Sequence, residues 1–163
     1  MSKPFAEEFK SIDARRDYSL CLDRLGDIYR DKKDYSKANR YYSQAMTIRE
    51  ELAEEVGSYN TKRDLSYSYR HLGDLYAAHG NSIDAKKYYE QAISISEALV
   101  NETAIIEAQT DLAALYVKAA TISFPWDRSM LVKAHQIHVM LSKKYPHQKS
   151  FIKMQNELHK LIE

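Results

Sequence analysis

Two histidines form the most specific metal-binding pattern in this sequence. His135 and His138 lie three positions apart, and on a helix this spacing places both imidazoles on one face, where they could bind the same cation. Zinc sites in proteins have at least three protein ligands. No third ligand stands in register with this pair, and isolated histidine pairs are usually surface residues. We therefore expect no metal site and no cofactor.

Other reactive residue types form no catalytic pattern. The sequence contains no glycine-rich phosphate loop and no nucleophile motif. Glutamates at positions 50–51 and 54–55 stand among arginine and lysine on predicted helix surfaces, where solvation explains them. The single cysteine, Cys21, shares a predicted helical stripe with Leu22 and Leu25, which predicts a small buried apolar residue and not a reactive thiol. We predict that the protein is not an enzyme.

Charge and hydropathy exclude two further classes of partner. Lys and Arg number 24 and Asp and Glu number 23 in 163 residues, so no overall basic field attracts nucleic acid. No apolar segment is long enough for a signal peptide or a membrane span. From these observations we expect a soluble cytoplasmic protein that binds neither nucleic acid nor membrane.

The sequence repeats itself at an interval of 47 residues. The first unit contains Arg16-Asp17-x-Ser19, Leu25-Gly26-Asp27-Ile28-Tyr29 and Tyr41-Tyr42-x-Gln44-Ala45, and the second contains Arg63-Asp64-x-Ser66, Leu72-Gly73-Asp74-Leu75-Tyr76 and Tyr88-Tyr89-x-Gln91-Ala92. A fixed long interval predicts stacked supersecondary units, none of which can bury its apolar face alone.

Caps and breaks predict seven helices. Their bounds are about 4–31, 35–55, 60–78, 82–100, 103–118, 127–144 and 147–162. Asn101 and Thr103 are the predicted caps of the fifth helix. The stripes predicted to be buried are Tyr18, Leu22, Leu25 and Tyr29 in the first helix and Phe151, Met154, Leu158 and Leu161 in the last.

Small residues and tyrosines predict close helix packing. A glycine within a helix costs about 0.5 to 1 kcal/mol relative to alanine, so Gly26 and Gly73 indicate positions where two helices approach closely. Ala45 and Ala92 are the small residues of the second helices. We interpret the 13 tyrosines mainly as core residues whose hydroxyls lie at the rim.

These motifs resemble the tetratricopeptide repeat. The resemblance rests on Leu25-Gly26-x-x-Tyr29 with Ala38, Tyr42 and Ala45, and on Leu72-Gly73-x-x-Tyr76 with Ala85, Tyr89 and Ala92. It implies an all-α fold, a right-handed superhelical array of antiparallel helix hairpins known as an α-solenoid. The long second helices are similar to the extended repeats of kinesin light chains and bacterial arrays.

The resemblance implies a single domain over residues 1–163. The first repeat spans about 5–57, the second about 60–100, a diverged third about 103–144, and a C-terminal capping helix about 147–162. The segment Leu112-Ala113-Ala114-Leu115-Tyr116 is interpreted as the third repeat's signature, with alanine in place of glycine and an interval of 40 residues from Leu72.

Tetratricopeptide arrays typically bind extended peptides in a concave groove lined by the first helix of each pair. The resemblance therefore predicts the following groove residues in this chain: Leu20, Asp23, Asp27, Arg30, Asp31, Tyr67, Arg70, Asp74, Ala77, Ala78, Glu107, Thr110, Ala114, Val117 and Lys118.

The charge of these residues predicts the kind of partner. Family members that bind the C-terminal carboxylate of heat-shock chaperones have Lys and Asn where this chain has Asp23, Asp27 and Asp31. Carboxylates there disfavour an acidic tail and favour a peptide or protein partner with basic residues. The alternative is that Asp27 with Arg30, and Arg70 with Asp74, are solvated surface pairs that contact no ligand.

The sequence thus predicts a noncatalytic adaptor that binds a peptide or protein in its concave groove. Two alternatives stay open. One is a sensory array, in which a peptide changes the superhelix and so controls an output domain. The other is a self-assembly scaffold whose end repeats stack, in which case the partner is a second copy of the chain.

Overall fold

The computed structural model describes residues 11–122 and 125–163. Within these residues the chain is all α-helical, as expected, and consecutive helices pack against each other. The helices are α1 (Ile12–Asp31), α2 (Tyr35–Val56), α3 (Tyr59–Ala78), α4 (Ser82–Glu102), α5 (Ile106–Thr121), α6 (Arg128–Lys144) and α7 (Lys149–Ile162). The predicted start of the first helix, near residue 4, lies outside the described residues.

Polar caps set most of the helix starts. The side chains of Ser11, Asp34, Ser58, Asn81 and Asp127 each accept a hydrogen bond from a backbone N–H of the following turn, which satisfies a donor that the helix leaves free.

The predicted caps of the fifth helix are wrong. Asn101 lies within α4, and Thr103 ends that helix by donating its hydroxyl to the carbonyl oxygen of Leu99 at 2.7 Å. Ile105 precedes α5 and forms no side-chain cap. Threonine occurs at either end of a helix because its hydroxyl can donate to a carbonyl as well as accept from an N–H.

The repeated spacing of glycine and tyrosine produces the close contact within each of the first two hairpins. A Cβ atom on Gly26 would lie 2.6 Å from Cδ1 of Tyr42, and one on Gly73 would lie 2.6 Å from Cε1 of Tyr89. Both distances are far below van der Waals contact. The predicted close approach is confirmed at both positions, and only glycine leaves room for the tyrosine ring.

The hydroxyls of the two buried tyrosines that contact glycine lie at the rim of the core, as predicted, whereas that of Tyr59 is buried and has no hydrogen-bond partner. Tyr42 donates to Oδ1 of Asp27 and Tyr89 donates to Oδ1 of Asp74, each at 2.7 Å. Both rings are almost completely buried. Each hairpin therefore combines a buried ring with a satisfied polar group at its edge.

Bonds between repeats recur at the same interval of 47 residues. Arg16 binds Asp64 at 2.7 Å, and Arg63 binds Asp111 at 2.9 Å. The hydroxyl of Tyr69 donates to Glu50, and that of Tyr116 donates to Glu97. The contacts thus make Asp111 and Tyr116 the equivalents of Asp64 and Tyr69, so the third unit keeps the interval of the first two.

The predicted interval of 40 residues for the third unit is therefore wrong. In the observed register, Ala119 and Ala120 are the equivalents of Leu72 and Gly73, and both alanines are buried. The error has a physical cause. A shift of seven residues is about two helical turns, so the apolar segment that begins at Leu112 presents the same helix face as the true signature.

The buried side of α1 also differs from the prediction. Its buried residues are Ser19, Leu22, Asp23 and Gly26, whereas Tyr18, Cys21 and Leu25 are exposed. The neighbouring helices α2 and α3 pack against the side of α1 that carries these small and polar residues. An arginine from α2 fills the space between them. Cys21 is consequently not the buried apolar residue that its spacing predicts.

That arginine forms a buried ion pair within the first repeat and a hydrogen bond to the second. Arg49, 2% exposed, binds Oδ2 of Asp23 at 2.6 Å. It also donates to the hydroxyls of Ser19 at 3.0 Å and Ser68 at 2.8 Å. One guanidinium therefore connects α1, α2 and α3, and the charge is tolerated because its donors find partners.

The last helix folds back on α6, as predicted, through a different set of residues. Phe151 and Leu158 are buried, but Met154 and Leu161 are 40% and 44% exposed. The side chain of Gln155 accepts a 2.7 Å hydrogen bond from Ser142 of α6. The face of α7 that is buried is therefore rotated by part of a turn from the face that carries the four predicted apolar residues.

No helix among the described residues is long and apolar enough to cross a membrane.

Overpacking should test the alanine contacts of the second hairpin. Ala92 is fully buried, so we expect Ala92→Leu to lower the free energy of unfolding by about 1 to 3 kcal/mol. Glu90→Leu, at an exposed position of the same helix, should change it little. Urea denaturation of both variants measures the difference, and equal midpoints would contradict this packing.

Removing one member of the buried ion pair should be costly. Asp23→Ala leaves the Arg49 guanidinium buried without its carboxylate, so we expect the free energy of unfolding to fall by about 3 to 5 kcal/mol. The matched change Asp31→Ala, at an exposed position of the same helix, should cost less than about 0.5 kcal/mol. The double variant Asp23→Ala, Arg49→Met should regain most of the loss. Similar urea midpoints for the two single variants would exclude a structural role for the pair.

Deleting residues 147–163 should expose the apolar surface that α7 covers. We expect a lower melting temperature and concentration-dependent association of the truncated chain, because Leu158 joins a core built by α4, α5 and α6. Calorimetry and light scattering test both effects. An unchanged melting temperature together with a monomeric mass would show that α7 is an independent tail.

Candidate protein-binding surface

The predicted groove residues lie on three neighbouring helices. We call the surface formed by α1, α3 and α5 the first-helix face. Arg16 of α1 binds Asp64 of α3, and Arg63 of α3 binds Asp111 of α5, so these helices lie side by side. The residues predicted for the groove are Leu20, Asp23, Asp27, Arg30 and Asp31 in α1, Tyr67, Arg70, Asp74, Ala77 and Ala78 in α3, and Glu107, Thr110, Ala114, Val117 and Lys118 in α5.

The aspartates of α1 are already paired within the protein. Asp23 is buried and bound to Arg49, so its carboxylate belongs to the packing of α1 on α2. Asp27 accepts the Tyr42 hydroxyl and lies 3.2 Å from Arg30. Arg30 also lies 3.4 Å from Asp31. The expected pair between Asp27 and Arg30 is therefore present.

The aspartate of α3 binds a different cation from the one predicted. Asp74 accepts the Tyr89 hydroxyl and binds Nζ of Lys118 in α5, both at 2.7 Å. Arg70 instead lies over the ring of Tyr67, 4.6 Å from its centroid. The predicted pair between Arg70 and Asp74 is thus replaced by a bond between two repeats.

Tyr67 is held between two arginines. The guanidinium of Arg63 lies 5.0 Å from the ring centroid, and that of Arg70 lies 4.6 Å from it. The Tyr67 hydroxyl donates to Oδ2 of Asp111 at 2.9 Å. Burial, followed by this hydrogen bond, raises the pKa of Tyr67 to about 12, so the phenol stays protonated at neutral pH.

Most of the carboxylates predicted to face a ligand are paired within the protein. Asp23 binds Arg49 of α2, Asp27 and Asp31 lie near Arg30, and Asp74 binds Lys118, whereas Glu107 is exposed. These cations reduce the negative field that extends to a ligand. The attraction for a basic partner is therefore weaker than the sequence predicts.

A buried histidine lies between the aspartates of the first repeat. His71 Nε2 is 3.9 Å from Asp23, and its Nδ1 is 4.0 Å from Asp27 and has no hydrogen-bond partner. Its ring stacks on Tyr42 with centroids 5.2 Å apart. Burial lowers the pKa of His71 despite both carboxylates, which favours the neutral imidazole. Sequence reasoning missed this residue, although His71 stands 47 positions before Lys118. It therefore holds the position of its repeat that Lys118, a predicted groove residue, holds in the next repeat.

An apolar cleft opens where α5, α6 and α7 meet. Its volume is about 460 Å³, and its lining residues are Thr110, Ala113, Ala114, Val117, Lys118, His138, Ser150, Phe151 and Met154. Four of the predicted groove residues line this cleft, namely Thr110, Ala114, Val117 and Lys118. Glu107 is exposed and does not line it.

The cleft exists because a small residue replaces a large one. In the 47-residue register, Ala114 is the equivalent of Tyr67 and Leu20. A methyl group where the preceding repeat has a phenol leaves space beside α5, and Phe151 and Met154 of α7 form the opposite wall. Sequence reasoning missed the α7 residues because they reach α5 only when the last helix folds back.

The two histidines of α6 are not arranged as metal ligands. His135 stacks on His159 with ring centroids 5.7 Å apart, whereas His138 is buried near Phe151. Burial lowers the pKa of His138, and its Nδ1 has no hydrogen-bond partner. Within residues 11–122 and 125–163, no group of three or more potential ligands could hold a metal ion.

Comparison with known proteins agrees with the repeat geometry. A family model described as tetratricopeptide repeat matches residues 20–55 and 65–103, which cover most of the first two hairpins. No curated protein matches the chain. Tetratricopeptide repeats are generally protein–protein interaction modules. The family match and the regular interval of helix pairs together show that this chain belongs to the tetratricopeptide repeat family.

Proposed function

We propose that the chain is a noncatalytic module that holds an extended segment of a partner protein across the first-helix face. An apolar side chain of that segment enters the cleft between α5 and α7. The observation that supports this proposal is the cleft itself, which is lined mainly by alanine, valine, methionine and phenylalanine and opens beside the predicted groove residues of α5.

The dimensions of the cleft suit an aromatic or large aliphatic anchor. An apolar cavity of about 150 Å³ is already sufficient to bind benzene, and the cleft encloses about 460 Å³. Buried apolar anchors usually contribute most of the binding energy of an interface. We therefore infer that an apolar residue, and not a charge, determines which segment binds.

Polar groups beside the cleft suit the backbone of such a segment. Thr110 and Lys118 lie at the cleft, and Tyr67 and Arg70 follow on α3. Arg70 forms no ion pair with another described residue, so its guanidinium is the cation of this face best able to bind a carbonyl oxygen or a carboxylate. The pairing of most carboxylates of this face within the protein predicts weak dependence of binding on salt.

A peptide selection with matched variants tests the proposal. A phage-displayed library of random linear peptides is selected against the full chain, and we expect enriched sequences to share an aromatic or large aliphatic residue. Ala114→Arg should weaken the enriched peptides about ten-fold or more, because it fills the cleft with a charged side chain. Ala98→Arg makes the same change at an exposed position of α4 and should not affect them.

Changes in the NMR chemical shifts of the backbone amides, measured on isotope-labelled protein, should identify the site directly. Addition of an enriched peptide should shift resonances of α5 and α7 in the unmodified chain and in Ala98→Arg. Enriched peptides that lack an apolar residue, or that bind Ala114→Arg with unchanged affinity, would refute the cleft as the anchor site.

A further inference from the structure

One edge of α1 is apolar and exposed. Cys21, Leu25 and Ile28 follow one another at spacings of four and three residues, which places them on one side of the helix. Leu25 is 38% exposed, Ile28 is 49% exposed, and Cys21 is also exposed. We call these three residues the end stripe.

The interval of 47 residues identifies the equivalent edge in the later repeats, where it is buried. The residues 47 positions after the end stripe are Ser68, Leu72 and Leu75, each at most 2% exposed. Leu72 and Leu75 pack with Ala38 and Tyr42 of α2. The end stripe therefore has the position, and the apolar chemistry, of the surface through which each later repeat packs on the preceding one.

The third repeat uses the same surface. The equivalents of the end stripe are Leu115 and Ala119 in α5 and Ile122 directly after it, and they pack in the cluster that includes residues of α4. The outer edge of α1 is apolar in the same way and stays exposed among the described residues, so a contact surface lies on this side of the first repeat.

We propose that two copies of the chain associate through the end stripe, with α1 of one copy antiparallel to α1 of the other. In this arrangement Leu25 faces Ile28 of the second copy, and the two-fold axis repeats the contact. This interface lies at the outer edge of α1, so it is separate from the cleft between α5 and α7.

The charges beside the end stripe favour this pairing. Asp17, Arg24 and Asp31 lie on one side of it at intervals of seven residues, and all three are exposed. When Leu25 faces Ile28 of the second copy, Arg24 lies opposite Asp31 of that copy, and symmetry forms the pair twice. In a parallel in-register arrangement the two rows of charges would lie on opposite sides of the interface, so Arg24 would not meet Asp31.

The exposed apolar residues at the other end of the array are less suited to self-association. Met154 and Leu161 of α7 are exposed, but this helix also presents Lys149, Lys153 and Lys160 to solvent. Two such helices would bring like charges together. The comparison therefore favours α1 as the site where a second copy binds.

Sedimentation equilibrium over a concentration series tests the proposal with the full chain. We expect a reversible monomer–dimer equilibrium. Leu25→Glu, Ile28→Glu should be monomeric at every concentration, since carboxylates then meet across the axis. The matched control Ile152→Glu, Leu161→Glu, at exposed positions of α7, should dimerise like the unmodified chain, and circular dichroism should show that both variants keep their helices.

Exchange of the flanking charges tests the antiparallel register. Arg24→Glu or Asp31→Arg alone should weaken the dimer about ten-fold, because each breaks two exposed pairs. The double variant Arg24→Glu, Asp31→Arg restores opposite charges across the axis and should regain most of the affinity. An unmodified chain that stays monomeric, a control that loses the dimer, or a double variant no tighter than the single ones would overturn the proposal. Ala114→Arg should dimerise normally whether or not the chain binds peptides in its cleft.

Discussion

The contact of a tyrosine ring with a helical glycine is the constraint on which the hairpins depend. Tyr42 lies against Gly26, and Tyr89 lies against Gly73, so closely that a Cβ atom on either glycine would overlap the ring. The same tyrosines donate to Asp27 and Asp74. One tyrosine therefore sets the distance between two helices, and its hydroxyl donates a hydrogen bond to a carboxylate that would otherwise face solvent.

This use of carboxylates changes the character of the binding surface. Asp74 is bound by a tyrosine and by Lys118, and Asp23 is bound by the buried Arg49. The bonds of Asp23 to Arg49 and of Asp74 to Tyr89 stabilise the hairpins, and the bond to Lys118 joins two repeats. In the function that we propose, a partner therefore meets a cleft of small and apolar residues, where shape and apolar burial determine recognition more than charge does.

The two ends of the array are closed in different ways. At the C-terminal end, α7 packs on α6 through Phe151 and Leu158, and its folding back creates a wall of the cleft. At the other end, α1 presents Leu25 and Ile28 to solvent at positions where later repeats are buried. Stacked repeats bury a continuous core only between neighbours, so the chemistry of each end determines whether the array stops or binds another molecule.

The sequence by itself determined the repeat, the helices and the small residues at close contacts, because each follows from local spacing: 3.6 residues per turn, polar caps, and Gly26 or Gly73 within an apolar stripe. Spacing could not decide which side of α1 is buried, because the buried side is the one that contacts Arg49, a residue of another helix. Spacing also misplaced the third unit, because a shift of two helical turns preserves the helix face. The bond between Asp74 and Lys118 and the cleft beside Ala114 were not predictable from the sequence. The first joins side chains 44 residues apart and the second depends on the position of α7, and only tertiary packing brings these groups together.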